Sequence, residues 1–207
     1  SPFVTALEAI GEVTATLGEI RNRADLVIYW GVDPAESHPR HAARYALMPQ
    51  GLFVPRGRAD RTCVVVDARK TATAEDADVA LQIRPESDFE ALWALRALAK
   101  GLELDPARVE SDTGLPLATW ADLAEWMKRA RYGAIFFGVG LLMSRGKNLV
   151  GEAVLSLTRE MNQFTRFVCQ PMCGAGNATG AENVFAWSTG YPLGVNFARG
   201  YPRFNPG

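Results

Sequence analysis

The chain has 207 residues, enough for one large domain, and 48% of them are apolar, ample for a packed core. Its formal net charge of −1 and pI near 6.1 give no long-range attraction to nucleic acid or anionic lipid. The longest apolar stretch, residues 134–143, is broken by glycine and falls short of the roughly 18 residues needed to span a bilayer, so neither nucleic acid nor a membrane is an expected partner.

In chain order, a short helix is expected over residues 3–10, then a glycine-punctuated stretch to Gly18. A first strand, Leu26 to Tyr29, ends at Gly31. Asp33 and Pro34 then read as the N-cap and first position of a helix over 35–46. A basic loop, Gly51 to Arg61, leads to a second strand, Thr62 to Val66, ending at Asp67, and a short third strand over 79–83. Residues 88–100 place Phe89, Leu92, Trp93, Leu95 and Leu98 at helical spacing and stop at Gly101. Residues 116–130 repeat the pattern with Trp120, Leu123, Ala124 and Met127. A strand over 134–137 enters the glycine-rich GVGLLMSRGKN, a helix over 149–162 follows, and a last strand covers 166–169. Strands alternating with helices specify an α/β fold, an open, mainly parallel Rossmann-like sheet with helices on both faces. The domain reading is 1–163 for the α/β part and 164–207 for a strand and Gly/Pro-rich continuation. Neither end reads as a natural terminus, so the chain is expected to be a fragment of a longer subunit.

Cys63, Cys169 and Cys173 cannot build a disulfide framework, which points to a reducing, cytoplasmic setting. Cys169 and Cys173 are too few donors for a closed zinc site, and His38 and His41 lie far off in sequence, so no metal site is expected. The two histidines, three apart on the expected helix, would share one face as a polar surface or subunit contact. No nucleophile elbow, P-loop or His-Glu-x-x-His helix occurs, and no catalytic residue is assigned. Gly138 and Gly140 form half of a dinucleotide fingerprint; tight turning and ligand contact explain them equally well. Asp67, with Arg69 and Lys70 beside it, stands where a strand end accepts hydrogen bonds from a nucleotide, or is an exposed turn acid. The basic loop Arg56, Arg58 and Arg61 reads as solvated surface or interface. The Trp and Phe residues read mostly as core.

The order WGVDPAESHPRHAARY, VVVDARKTATA, FFGVGLLMSRGKN and STGYPLGVNFARGYPRFNPG resembles the B subunit of formylmethanofuran dehydrogenase, a relative of the molybdopterin oxidoreductases, over nearly the whole chain. The resemblance implies a multi-subunit complex of one-carbon metabolism. Redox members of that family hold tungsten or molybdenum between two pterin guanine dinucleotides. Mapped here, the nucleotide contacts would be Gly31, Asp33, Asp67, Arg69, Gly138, Gly140 and the loop Cys173 to Gly180 with Asn177.

This chain departs from the redox pattern. Where redox relatives have arginine, glycine and histidine after the Pro-Met pair, it has Cys173, Gly174 and Ala175. Leu142, Met143, Leu149 and Val150 replace polar residues, as if a vacated site had been filled. Losing arginine contacts to phosphate removes charge-assisted hydrogen bonds. The expectation is a cofactor-free scaffold in which these nucleotide-contact positions are vestigial. Its relatives work in a formyltransferase/hydrolase complex beside an amidohydrolase-like A subunit, a C subunit and a formyltransferase D subunit, with a methanofuran-type carrier. The alternatives are a tungsten or molybdenum catalytic subunit and a generic nucleotide-binding module.

Overall fold

The computed structural model describes residues 6–7, 9–143, 146, 148–174, 177–192 and 194–205. Five parallel strands, β1 (Leu26–Trp30), β2 (Thr62–Asp67), β3 (Val79–Gln82), β4 (Tyr132–Phe137) and β5 (Arg166–Pro171), lie in the order β3-β2-β1-β4-β5. β1, β2 and β4 are buried or nearly so along their length, as unbroken apolar runs covered on both faces require. Register pairs Leu26 with Thr62 on one side and with Gly133 on the other. The chain runs outward from β1 to β3 and then returns to β4, so the sheet reverses direction between β1 and β4, the place where ligands of such sheets bind.

One face packs against α4 (Asp88–Ala99), α5 (Pro106–Thr113), α6 (Leu117–Arg129) and α8 (Asn148–Met161) through Leu92, Leu95, Trp120, Leu123, Met127 and Val154. Trp30 stacks on Trp120 at 6.3 Å and its indole N–H donates to Asp88 at 2.9 Å. Arg96 of α4 and Lys100, its C-cap, both reach Glu160 of α8, at 2.9 and 3.0 Å. The other face packs against α1 (Leu17–Arg23) and a π-helix, Ala42–Ala46, through Ile20, Ala46 and Leu47. The remaining short helices of this part are α2 (Pro34–Ser37), α3 (Ala72–Glu75) and α7 (Val139–Met143).

Several expectations need correction. The single helix over 35–46 is two pieces, α2 and the π-helix, separated around His38 to Arg40, where Pro39 removes a backbone donor. α1 and α5 are not among the expected elements: α1 is capped by the Thr16 side chain, and α5 by Asp105, with Pro106 in its first turn and a left-handed Gly114 at its end. α5 is mostly charged or polar and buries only Val109 and Thr113, so its apolar period is weak. The expected helix over 3–10 begins outside the described residues; Ala6, Leu7, Ala9 and Ile10 are helical. Trp30 and Trp120 are buried, but Trp93, Trp126 and Trp187 lie on the surface with Phe53, Phe164, Phe185, Phe197 and Phe204.

The chain divides into two compact units, Ser1–Met172 and Cys173–Gly207. The second holds α9 (Ala178–Thr189) and an antiparallel pair, β6 (Val195–Asn196) and β7 (Arg203–Phe204), with Tyr191 stacked on Phe204 at 5.5 Å. None of its described residues is buried, and α9 exposes Val184, Phe185 and Trp187. Among the described residues no helix is long and apolar enough to cross a membrane.

The basic loop is not simply solvated. Arg61 is 4% exposed and donates to four carbonyls: Arg21 at 2.6 Å, Ala24 at 3.1 Å, Leu47 at 3.0 Å and Pro49 at 2.6 Å. The planar guanidinium forks between the last turn of α1 and the segment after the π-helix, where carbonyls lack helical partners. Arg61→Met should lower stability by about 3 kcal/mol, because it strands buried carbonyls, and Arg61→Lys should restore only part of that. Urea denaturation midpoints of the two variants check this.

Candidate functional site at the carboxyl edge of the sheet

Six of the expected contacts fall where an open α/β sheet binds ligands. Gly31 and Asp33 follow β1, Asp67 and Arg69 close β2, and Gly138 and Gly140 follow β4. The structure brings the three glycines together. Gly31 has φ +59° and its N–H donates to Val66 at 2.9 Å. A Cβ on it would lie 2.7 Å from the Leu141 nitrogen. A Cβ on Gly138 would meet Val32 Cβ at 2.7 Å and the Gly31 carbonyl at 2.9 Å, and one on Gly140 the same carbonyl at 2.7 Å. These glycines therefore serve close backbone packing between the β1 end and the start of α7. Leu141 is fully buried there.

Asp33 occupies the N-cap position of α2, yet its carboxylate makes no cap hydrogen bond to that helix. It reaches across to α3, accepting from Ala72 N–H at 2.9 Å, from Thr73 N–H at 3.1 Å and from the Thr73 hydroxyl. Partial burial opposes ionisation, and these hydrogen bonds outweigh it, holding the carboxyl below its ordinary value. Asp67 is 8% exposed and accepts from the Arg69 N–H at 2.8 Å, a local turn. The Arg69 guanidinium stands 3.8 Å from that carboxylate and is otherwise solvated, as is Lys70.

Asn177 belongs to the second unit. It adopts a left-handed conformation at φ 57° and caps α9, its Oδ1 accepting from Gly180 N–H at 3.3 Å. It borders an open, mainly apolar groove lined by Gly180, Val184, Trp187 and Phe197. Ala175 and Gly176 of the expected loop lie outside the described residues.

The apolar replacements divide. Val150 is fully buried and Leu142 packs partly against the core, but Met143 is 66% and Leu149 49% exposed, so these two are not buried fill. The histidines also differ from expectation. His38 is half-buried, its Nδ1 2.9 Å from the Ser37 hydroxyl. His41 is buried on the sheet, its Nδ1 3.1 Å from the Tyr29 hydroxyl and its ring edge-on to Phe136 at 4.4 Å. Burial, with a smaller push from His38, lowers its pKa to about 4 and keeps it neutral. Sequence reasoning misses it because the helix break that turns it inward carries no periodic signal. Burial pushes the Cys63 and Cys169 thiols up to about 12, so both are unreactive core residues. Among the described residues no three His, Cys, Asp or Glu side chains converge on a metal position.

A pterin guanine dinucleotide carries a pyrophosphate, which asks for free amides and cations. At this edge the amides of Ala72, Thr73 and Arg69 already serve Asp33 and Asp67, and those two groups are acids. Of the six first-unit positions only Arg69 is cationic. These six positions, as described, offer a pyrophosphate few free amides and one cation.

No family model matches the chain. It is 45% identical over 206 residues to the B subunit of the tungsten-containing formylmethanofuran dehydrogenase 2 of Methanococcus maripaludis, and 44% identical to that of Methanocaldococcus jannaschii. Both alignments cover 100% of this chain and 47% of the relative, so the chain spans about half the length of these relatives. Among solved structures it is similar to the formyltransferase/hydrolase complex of Methylorubrum extorquens with bound methylofuran. The TM-score is 0.66 at 25% identity, covering 99% of this chain and 52% of that one. Acetylene hydratase of Pelobacter acetylenicus shares the fold, with a TM-score of 0.59 at 14% identity over 79% of this chain and 24% of its own.

Two variants test the edge. On helix propensity alone Gly140→Ala should stabilise by about 1 kcal/mol. The contact with the Gly31 carbonyl predicts the opposite, a loss of about 1–3 kcal/mol in thermal unfolding. Asp33→Asn should destabilise at neutral pH. A carboxyl held low in the folded state stabilises fully above its unfolded value and loses that contribution as pH falls through the folded value. The gap between the Asp33→Asn variant and the parent should therefore close below about pH 4 when melting is followed against pH.

Proposed function

The chain is homologous to the B subunit of formylmethanofuran dehydrogenase over the part of that subunit it spans, and from that premise we propose that it serves as a non-redox, cofactor-free scaffold. The complex would be of the formyltransferase/hydrolase kind, working in the cytoplasm. It would move formyl from a tetrahydromethanopterin carrier to a methanofuran-type amine and release formate, with an amidohydrolase-like subunit, a C subunit and a formyltransferase subunit as partners. The observation that carries this reading is the carboxyl edge itself. Gly31, Gly138 and Gly140 are packed on one another and on buried Leu141, and Asp33 and Asp67 consume the neighbouring amides. An edge closed in this way, with two acids on it, suits a positioning role better than retention of two anionic pterin nucleotides. Cys173, Gly174 and Ala175 in place of the arginine-bearing loop support it. Exposed Phe185, Trp187 and Phe197 support assembly with further polypeptide, since contiguous apolar surface on a free chain is rare.

A specific observation also favours the redox alternative, a tungsten or molybdenum subunit that interconverts carbon dioxide and a formylated carrier. Identity to the tungsten-containing subunits is 44–45%, against 25% to the formyltransferase/hydrolase complex. Elemental mass spectrometry of the intact complex from its own host separates the two readings. The scaffold reading expects far less than one tungsten or molybdenum per copy of this chain, in a preparation that still releases formate. A near-stoichiometric amount of either metal overturns it.

A further inference from the structure

The loop that leads to Arg61, at the amino edge of the sheet, ends in an apolar tip. Leu52 is 77% exposed and Phe53 is half-exposed. One exposed leucine says little by itself. What distinguishes this one is how firmly the fold holds it out. Gly51 and Val54 exchange backbone hydrogen bonds at 3.1 and 3.2 Å, and Val54 is fully buried. The Phe53 N–H donates to the Asn22 carbonyl at 2.9 Å and the Leu52 N–H to the Asn22 Oδ1 at 3.2 Å. A Cβ on Gly51 would lie 2.3 Å from the Arg21 carbonyl, so the loop backbone rests directly on the last turn of α1. A tip pinned in this way has little freedom left to lose on binding.

Three arginines surround it. The Arg23 guanidinium stands over the Phe53 ring at 4.7 Å. Arg131 donates to the Phe53 carbonyl at 3.4 Å and to Asp25 at 3.0 Å. Arg56 donates to Asp60 at 2.6 Å, and Arg131 is near enough for its charge to act on the same carboxyl.

Acid and base are not equally exposed in these pairs. The Arg56 side chain is 73% exposed against 9% for Asp60, and that of Arg131 67% against 17% for Asp25. The carboxylates are sunk and the guanidiniums protrude. Each guanidinium has five N–H donors, more than one carboxylate can take up, so donors remain on the outer side. Glu19, beside Arg23 at 4.0 Å, is the acid of the three pairs that is as exposed as its base. An approaching molecule therefore meets an apolar centre ringed by cationic donors.

We infer that this tip, Leu52 and Phe53 with Arg23, Arg56 and Arg131, is a docking surface for a different subunit of the complex, one that offers an apolar pocket rimmed by Asp and Glu. Guanidinium forks match carboxylates in geometry as well as charge, and aromatic and arginine side chains are enriched where proteins meet. A second copy of this chain is a poor occupant, since it would set protruding guanidiniums against guanidiniums. An anionic lipid surface is another, since the net charge of −1 gives the chain no long-range pull toward it. The inference holds under either reading of the preceding subsection, because both place the chain in a complex of several subunits.

The test uses the intact complex, purified from its own host through a tag on this subunit. With p-benzoylphenylalanine in place of Leu52, irradiation should crosslink the tip to a different subunit, at a peptide that combines apolar residues with Asp or Glu. Leu52→Ser, a change at an exposed side chain, should lower retention of that same subunit about tenfold while the yield of this chain stays at the parental level. Arg56→Glu should lower retention several-fold at about 50 mM salt and much less at about 500 mM. A crosslink to a second copy, to lipid or to the remainder of its own polypeptide would overturn the proposal. So would no crosslink at all, or full retention of every subunit by Leu52→Ser.

Discussion

The fork of Arg61 is the constraint on which the first unit's geometry rests. Ala24, one of its acceptors, lies two residues before β1, and Arg61 itself lies one residue before β2. One side chain therefore fixes where both strands start, and the pairing of Leu26 with Thr62 follows. In a parallel sheet that register is carried to the far end, where Trp30 is opposite Val66. Gly31 and Asp67 sit just past that pair. A buried cation with neutral acceptors is still charged at neutral pH, although burial lowers its pKa. Four carbonyls replace the water it gives up.

At the carboxyl edge, backbone groups again pack closely on one another and the carboxylates bond neighbouring amides. Gly31, in a left-handed conformation, lets the chain turn inward immediately after β1, and Gly138 and Gly140 let the first turn of α7 come onto it without side chains between. Asp33 then fastens the loop after β1 to the start of α3, and so couples the ends of β1 and β2. The edge is held by backbone packing and by carboxylate-to-amide bonds, interactions that need no ligand to be complete.

Much of the sheet is legible in the sequence because its strands are buried on both faces and read as unbroken runs such as LVIYW and TCVVVD. α4, α6 and α8 are legible from apolar spacing. What sequence reasoning loses are elements whose order depends on single side chains. α5 has cap signals in Asp105, Pro106 and Gly114 but little apolar face. α9 has no buried face among its described residues, so periodicity does not reveal it. Of the site, the positions of Gly31, Asp33, Asp67, Arg69, Gly138 and Gly140 at strand ends are predictable, but what they contact is not. Whether a glycine admits a phosphate or another backbone depends on what the chain folds over it, here Leu141. Arg61 and His41 escape for the same reason, since each is buried by segments distant in sequence.

High identity to the tungsten-containing subunits and the proposed absence of their cofactor are physically compatible. Packing positions in a sheet covered on both faces are numerous, and each is restricted by volume, so overall identity mostly measures the persistence of the core. A cofactor depends on far fewer positions, and those can change while the fold stays put. Met143 and Leu149 are exposed rather than fill. They expose apolar side chains on α7 and α8, at the rim of the site, a surface that favours contact with another apolar surface over contact with a phosphate.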